Sequence, residues 1–258
     1  MASVTHIENR FNHFVYTVYL AGDYINVTVT SSASVVKRWL SSTLHFGRHY
    51  VYLNRLVVGL GVQWTPGGYD PPPDTLQLCV GRRCLIFQLA FVDGVPESLR
   101  TFLKNPDHTF VGFWNHSDRR KLEYSEYELE MYTDPLDLRL VYDNLIQASV
   151  EEIVDNCLGF RVFQPREISM SRWSVSYLSN KQVAYAAVDA YCAFLIDAPL
   201  VPSYHYHRLK VMTKFGIKNL TERFCLRRKT EKKKRNDLRK HKLMVGAERR
   251  AYNKIGAE

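Results

Sequence analysis

Leu56-Val57-Val58-Gly59-Leu60-Gly61-Val62-Gln63-Trp64 is the stretch whose reading decides the fold. Its nearly continuous apolar residues predict a strand buried on both faces, at about residues 55–64, in the centre of an α/β sheet. In such sheets the chemistry usually sits where a strand ends. Here that end carries Gly61 and Gln63, two apart and so on one face. One is a gap and the other a neutral amide.

Upstream, residues 14–20 and 24–30 are rich in Val, Tyr, Thr and Ile and flank Ala21-Gly22-Asp23. That pattern predicts a hairpin. Ser31-Ser32-Ala33-Ser34 offers caps for a short helix through Val35, Val36, Trp39 and Leu40. Residues 1–12 are polar and predict a loose segment. Downstream, Pro66, Gly67, Gly68 and Pro71-Pro72-Pro73 hold a loop out of regular structure. Residues 76–80 and 85–89 flank Gly81-Arg82-Arg83-Cys84 and predict a second hairpin. A helix is expected from Pro96 to about Lys104, a strand at 109–114 and a helix from Asp118 to about Leu129. A short edge strand or loop follows at 134–138, then helices at 148–158 and 179–196. Strands first, then strands alternating with helices, indicate a mixed three-layer α/β domain over roughly residues 10–200.

The charge is divided along the chain. Residues 208–258 hold 18 Lys and Arg against 5 Asp and Glu, a net +13. The other 207 residues hold 17 against 21, a net −4. Within the tail, Arg227, Arg228, Lys232, Lys233, Lys234 and Arg235 form basic clusters. Such clusters are read as a nuclear localisation signal or a phosphate contact, beside the plainer reading of a solvated tail. No apolar run is long enough to span a membrane, and the N-terminus has no signal-peptide core. Five cysteines without CxxC spacing favour reduced thiols and no zinc site. A nuclear or cytoplasmic protein, not a secreted one, is expected.

Two further stretches carry candidate chemistry. Asp118 stands just beyond the strand at 109–114. Tyr185 and Asp189 are four apart in an expected helix, hence on one face. Asp189 lies among small apolar residues, where an acid needs a partner or a metal. Trp64, Trp114 and Trp173 are read as core or rim packing, and Trp64 is also carried as a nucleic-acid contact by base stacking. His116 is read as a loop histidine, and His205 and His207 as linker residues. Glu151, Glu152 and Asp155 are read as the solvated face of a helix.

Taken together, these blocks resemble the Werner syndrome-type 3′–5′ exonucleases, the tyrosine branch of the DEDD nucleases. The resemblance runs from about residue 53 to 196. It rests on Val58-Gly59-Leu60-x-Val62-x-Trp64, Leu76-Gln77-Leu78-Cys79, Val111-Gly112 leading to Asp118 and Lys121-Leu122, Ser171-Arg172-Trp173-Ser174, and Tyr185-Ala186-Ala187-x-Asp189-Ala190-Tyr191. It implies an RNase H-like mixed sheet of about five strands flanked by helices. An N-terminal β-hairpin and helix extension (1–52) would pack on the exonuclease-like domain (53–200), with a basic tail at 201–258. The implied partners are single-stranded or 3′-end DNA or RNA, with a homo- or hetero-oligomer open.

The resemblance also implies a reaction. Four carboxylates hold two divalent ions, Mg²⁺ or Mn²⁺, that activate water and stabilise the leaving oxygen. By position Asp118 is the second-motif ligand, Asp189 the third-motif ligand, and Tyr185 the residue that positions the water. The first motif is degenerate: Gly61 stands where the Asp would be and Gln63 where the Glu would be. Hard cations want anionic oxygen, and two carboxylates do not neutralise two divalent ions about 4 Å apart. Hydrolysis is therefore expected to be weak or lost. Two alternatives stay open: an active enzyme with substitute ligands such as Asp70 and Asp74, and a protein-interaction module with no nucleic-acid role.

Overall fold

The computed structural model describes residues 2–48, 51, 56–141 and 145–197. They form one mixed sheet of eight strands in the order β1-β2-β3-β6-β5-β4-β7-β8. The stretch at the centre of the reading is β4 (Leu56–Gln63). Antiparallel β5 (Thr75–Val80) lies on one side of it and parallel β7 (His108–Gly112) on the other. With β6 (Arg83–Gln88) and the short edge strand β8 (Leu136–Asp137), these make the five-stranded series expected from sequence.

The N-terminal hairpin, β2 (His13–Leu20) and β3 (Asp23–Thr30), extends this same sheet. It does so because β3 pairs in parallel with β6. A further strand, β1 (Ser3–Arg10), runs along β2 where a loose segment was expected. Almost all of β1 is exposed, so an outer strand of this kind leaves no apolar alternation to read. Its register shifts between His6 and Glu8, a bulge of the sort that blunts a sheet edge.

Alternation along β4 sets the layers. Leu56, Val58, Leu60 and Val62 pack with α1 (Ala33–Phe46) and α2 (Glu97–Leu103). Val57 faces the other way and packs with α4 (Val150–Leu158) and α6 (Asn180–Asp197). Gly59 shares that second face, and α6 comes close: a Cβ built on Gly59 would stand 1.8 Å from the Ala190 carbonyl oxygen. Glycine there, with Ala186, Ala187 and Ala190 on the helix, lets the helix lie against the strand. Gly61 and Gln63 continue the same face, so the degenerate positions are turned toward the side that carries α6.

Two helices differ in length from expectation. The helix α1 runs on to Phe46, well past Leu40. The helix α3 (Asp118–Glu123) ends six residues early. Ser125 Oγ donates to the Leu122 carbonyl at 2.7 Å, and Glu128 takes a positive φ, so the chain turns there. The helix α4 carries a full capping box, Ser149 with Glu152, and closes on Gly159 at φ +73°. A one-turn helix, α5 (Arg166–Ser169), precedes α6. No helix among the described residues is long and apolar enough to cross a membrane. Four cysteines, Cys79, Cys84, Cys157 and Cys192, are free thiols. Cys225, His205, His207 and the basic clusters at Arg227, Arg228, Lys232, Lys233, Lys234 and Arg235 lie outside the described residues.

Candidate active site

Asp118 opens α3 just beyond β7 and is only 4% exposed. Nothing among the described residues donates a hydrogen bond to its carboxylate. Burial pushes its pKa well above the ordinary carboxylate range. The Asp137 and Asp189 carboxylates add to the rise, and Lys121 opposes it. The structure thus brings Asp118 and Asp189 within electrostatic reach of each other, and adds Asp137.

Asp189 projects from α6 and is half-buried. Gln164 Nε2 donates to its Oδ1 and also to the Tyr185 carbonyl, the latter at 3.0 Å. Burial lifts the Asp189 pKa to about 7 against the lowering effect of the Gln164 bond, with Glu151 raising it further. Tyr185 lies one turn earlier, its ring 6.2 Å from that of buried Trp173. Burial, with the Asp189 charge beside it, pushes the phenol upward, so it remains a donor.

The raised Asp189 pKa has a measurable consequence. The folded state keeps a proton between about pH 4 and 7 that the unfolded chain has already released. The stability this supplies is complete below about pH 4 and is lost as pH rises through 7. The facing groups are Asp118, Glu151, Tyr185 and neutral Gln164. Buried His108, whose pKa is lowered, acts in the opposite sense, so the comparison must be internal. Thermal midpoints measured from pH 5 to 8 are expected to fall more steeply, or rise less, in the wild type than in Asp189→Asn. Parallel profiles would contradict this.

At the end of β4, Gly61 pairs with Gln77 of β5. The Gln77 amide fills the space beside Gly61: a Cβ there would lie 2.7 Å from Gln77 Oε1. Gln77 Nε2 donates to Thr75 Oγ1 at 2.6 Å. Gln63 is half-buried, and its side chain makes no hydrogen bond to any described residue. Trp64 lies under the Lys121 ammonium, 4.6 Å from its ring centroid.

The other acids near this end of the sheet are engaged. Asp70 receives Arg120 through two bonds (2.9 and 3.2 Å) and Lys121 at 2.8 Å. Asp74 Oδ2 accepts from the Thr65 amide and hydroxyl at 2.6 and 2.5 Å. Thr65 Oγ1 in turn accepts from the Trp173 and Ser174 amides, tying β4 to the segment before α6. Asp137 is held by Arg139 through Nε (3.1 Å) and Nη2 (2.6 Å). Among the described residues, no group of three or more His, Cys, Asp or Glu converges as a metal ligand set.

Three of these residues escaped the sequence reading. Asp137 had a signal: in Leu136-Asp137-Leu138-Arg139 the acid and the arginine are two apart, the strand period that puts them on one side. Gln164 and Gln77 had none, because their roles come from contacts across 25 residues and across a strand pair.

The chain is 27% identical over 146 residues to the mouse bifunctional 3′-5′ exonuclease/ATP-dependent helicase WRN, covering 54% of this chain and 10% of that one. It is 24% identical over 181 residues to a Drosophila grimshawi 3′-5′ exonuclease, covering 65% and 52%. These relatives support the DEDD 3′–5′ exonuclease family for this chain. No family model matches it. An Arabidopsis thaliana 3′-5′ exonuclease is 25% identical over 146 residues, covering 53% and 50%. The chain thus spans about half the length of the fly and plant relatives. The fold is that of the Nibbler EXO domain of Aedes aegypti, at TM-score 0.54 and 16% identity over 72% of this chain and 88% of that one. Escherichia coli RNase D gives TM-score 0.54 and 15% identity, over 67% and 43%. The RNase H-like architecture of DEDD exonucleases is therefore the architecture here.

Proposed function

We propose that this DEDD-family chain is a Werner-type exonuclease-fold protein that binds 3′ ends of single-stranded DNA or RNA and hydrolyses them weakly or not at all. One observation carries the reading. The face of β4 turned toward α6 presents Gly61 and Gln63, and the nearby acids that would have to substitute are already engaged. Asp70 is held by Arg120 and Lys121, Asp74 by Thr65, Asp137 by Arg139, and Glu151 accepts from the Gln164 backbone amide at 2.9 Å. This weighs against the alternative of a rebuilt site. Asp118 and Asp189 remain, both with raised pKa values and, among the described residues, no third converging ligand. That donor set does not fit a pair of Mg²⁺ or Mn²⁺ ions, which need anionic oxygen in larger supply.

What the site retains suits holding rather than cutting. Tyr185 and the Gln164–Asp189 pair offer hydrogen-bonding groups where a 3′ terminus would lie. Trp64 is a candidate base contact, and the basic clusters from Arg227 to Arg235 a phosphate contact. The same clusters suit a nuclear address. The test is fluorescence anisotropy with 5′-labelled oligonucleotides in EDTA. Binding of a single-stranded 3′ end at least tenfold tighter than a blunt duplex is expected. No binding, or equal binding of both, would overturn the reading and favour a protein-interaction module.

A further inference from the structure

Trp114 occupies an unusual position. It follows β7 by two residues, precedes Asp118 by four, and adopts φ +50°. A bulky side chain rarely takes this left-handed backbone, and such strain persists only where the surroundings hold it. What holds it is the Arg139 guanidinium, stacked 3.5 Å from its ring centroid. Arg139 is itself fixed by Asp137, and its Nη1 donates to the Ile146 carbonyl at 3.3 Å. Both members of the ion pair are buried, yet the tryptophan they support is 42% exposed. The chain Asp137–Arg139–Trp114 therefore presents an aromatic surface in one fixed orientation, beside the acid that marks the candidate site. A ring meant only to shield the ion pair would not need a strained backbone that leaves it open to solvent.

We propose that Trp114 is a stacking platform for the terminal nucleobase of a single strand whose 3′ end lies by Asp118. The proposal rests on the reading of the site as a holder of nucleic-acid ends. Every base offers a π-face, so the platform is indifferent to sequence and takes DNA and RNA alike. Asp137 and Arg139 are positioning residues that act through the tryptophan.

The test uses the full chain and single-stranded DNA and RNA, each with an intact or an abasic 3′-terminal nucleotide. Trp114→Gly removes the ring and also relieves the strained φ, so its thermal midpoint is expected to match or exceed the wild type. Its affinity for intact strands is expected to fall about tenfold, and Trp114→Phe to keep most of the binding. The abasic terminus is expected to cost the wild type the same factor and to cost Trp114→Gly nothing. Unchanged affinity in Trp114→Gly, or an equal abasic penalty in both proteins, would overturn the platform while leaving end binding intact. Failure of the wild type to bind any strand would instead remove the reading beneath it.

Discussion

Replacing Gly61 with Asp and Gln63 with Glu together is expected to confer Mn²⁺-dependent 3′ trimming at least about 100-fold above wild type. The two positions lie on the face of β4 turned toward α6, so their new carboxylates would join Asp118 and Asp189. Four carboxylates offset two divalent ions where two do not. Bound ions stabilise the transition state by several kcal/mol, and each 1.4 kcal/mol is a factor of ten in rate. The backbone accepts the change, because Gly61 is not among the residues with positive φ. The obstacle is Gln77 Oε1, 2.7 Å from the incoming Cβ. That atom ends a flexible side chain, and Gln77 has only to give up its bond to Thr75 and rotate. Metal binding would also favour the ionised forms of Asp118 and Asp189, against the burial that raises both pKa values. Each single substitution is expected to give less than the pair, and Asp118→Ala added to the pair to abolish the gain. A folded double variant that binds no Mn²⁺ and trims nothing would show that the defect lies elsewhere.

Gly59→Ala is expected to be strongly destabilising. Its Cβ would lie 1.8 Å from the Ala190 carbonyl oxygen, 2.8 Å from the Ala190 carbonyl carbon and 3.1 Å from Phe194 Cβ. Unlike the contact at Gly61, this one is with helix backbone, so no side-chain rotation relieves it. Overpacking of a well-filled core costs about 1–3 kcal/mol where side chains adjust, and a backbone clash lies at or above the upper end. At about 3 kcal/mol the thermal midpoint of a domain this size falls by roughly 6–12 °C. Because α6 carries Tyr185 and Asp189, end binding is expected to weaken in the same variant. An unchanged midpoint by circular dichroism would contradict the close approach of α6 to β4.

The contrast between these two glycines marks what the sequence carried and what it did not. The central strand, both hairpins and α6 were legible because each has the apolar periodicity of its own element. The pairing of Tyr185 with Asp189 was legible because helical spacing fixes it. Outer strand β1 was not, since a strand exposed on both faces leaves no alternation to read. The early end of α3 was set by one hydroxyl bond, from Ser125 to Leu122, inside a pattern that otherwise continues. Within the site, the charges could be counted from sequence, but their engagements could not. Asp70 counts as a candidate ligand by sequence, but Lys121 and Arg120 claim it, and Asp137, whose spacing to Arg139 was legible, comes near Asp118 only in the fold. Long-range partners of this kind have no spacing rule.

A 5′-labelled single strand incubated with the wild-type protein in Mn²⁺, and resolved on a sequencing gel, tests the shortage of carboxylates most directly. The strand is expected to remain intact, with any trace of shortening the same in Asp118→Ala. A ladder of 3′-shortened products that vanishes in Asp118→Ala would contradict the account.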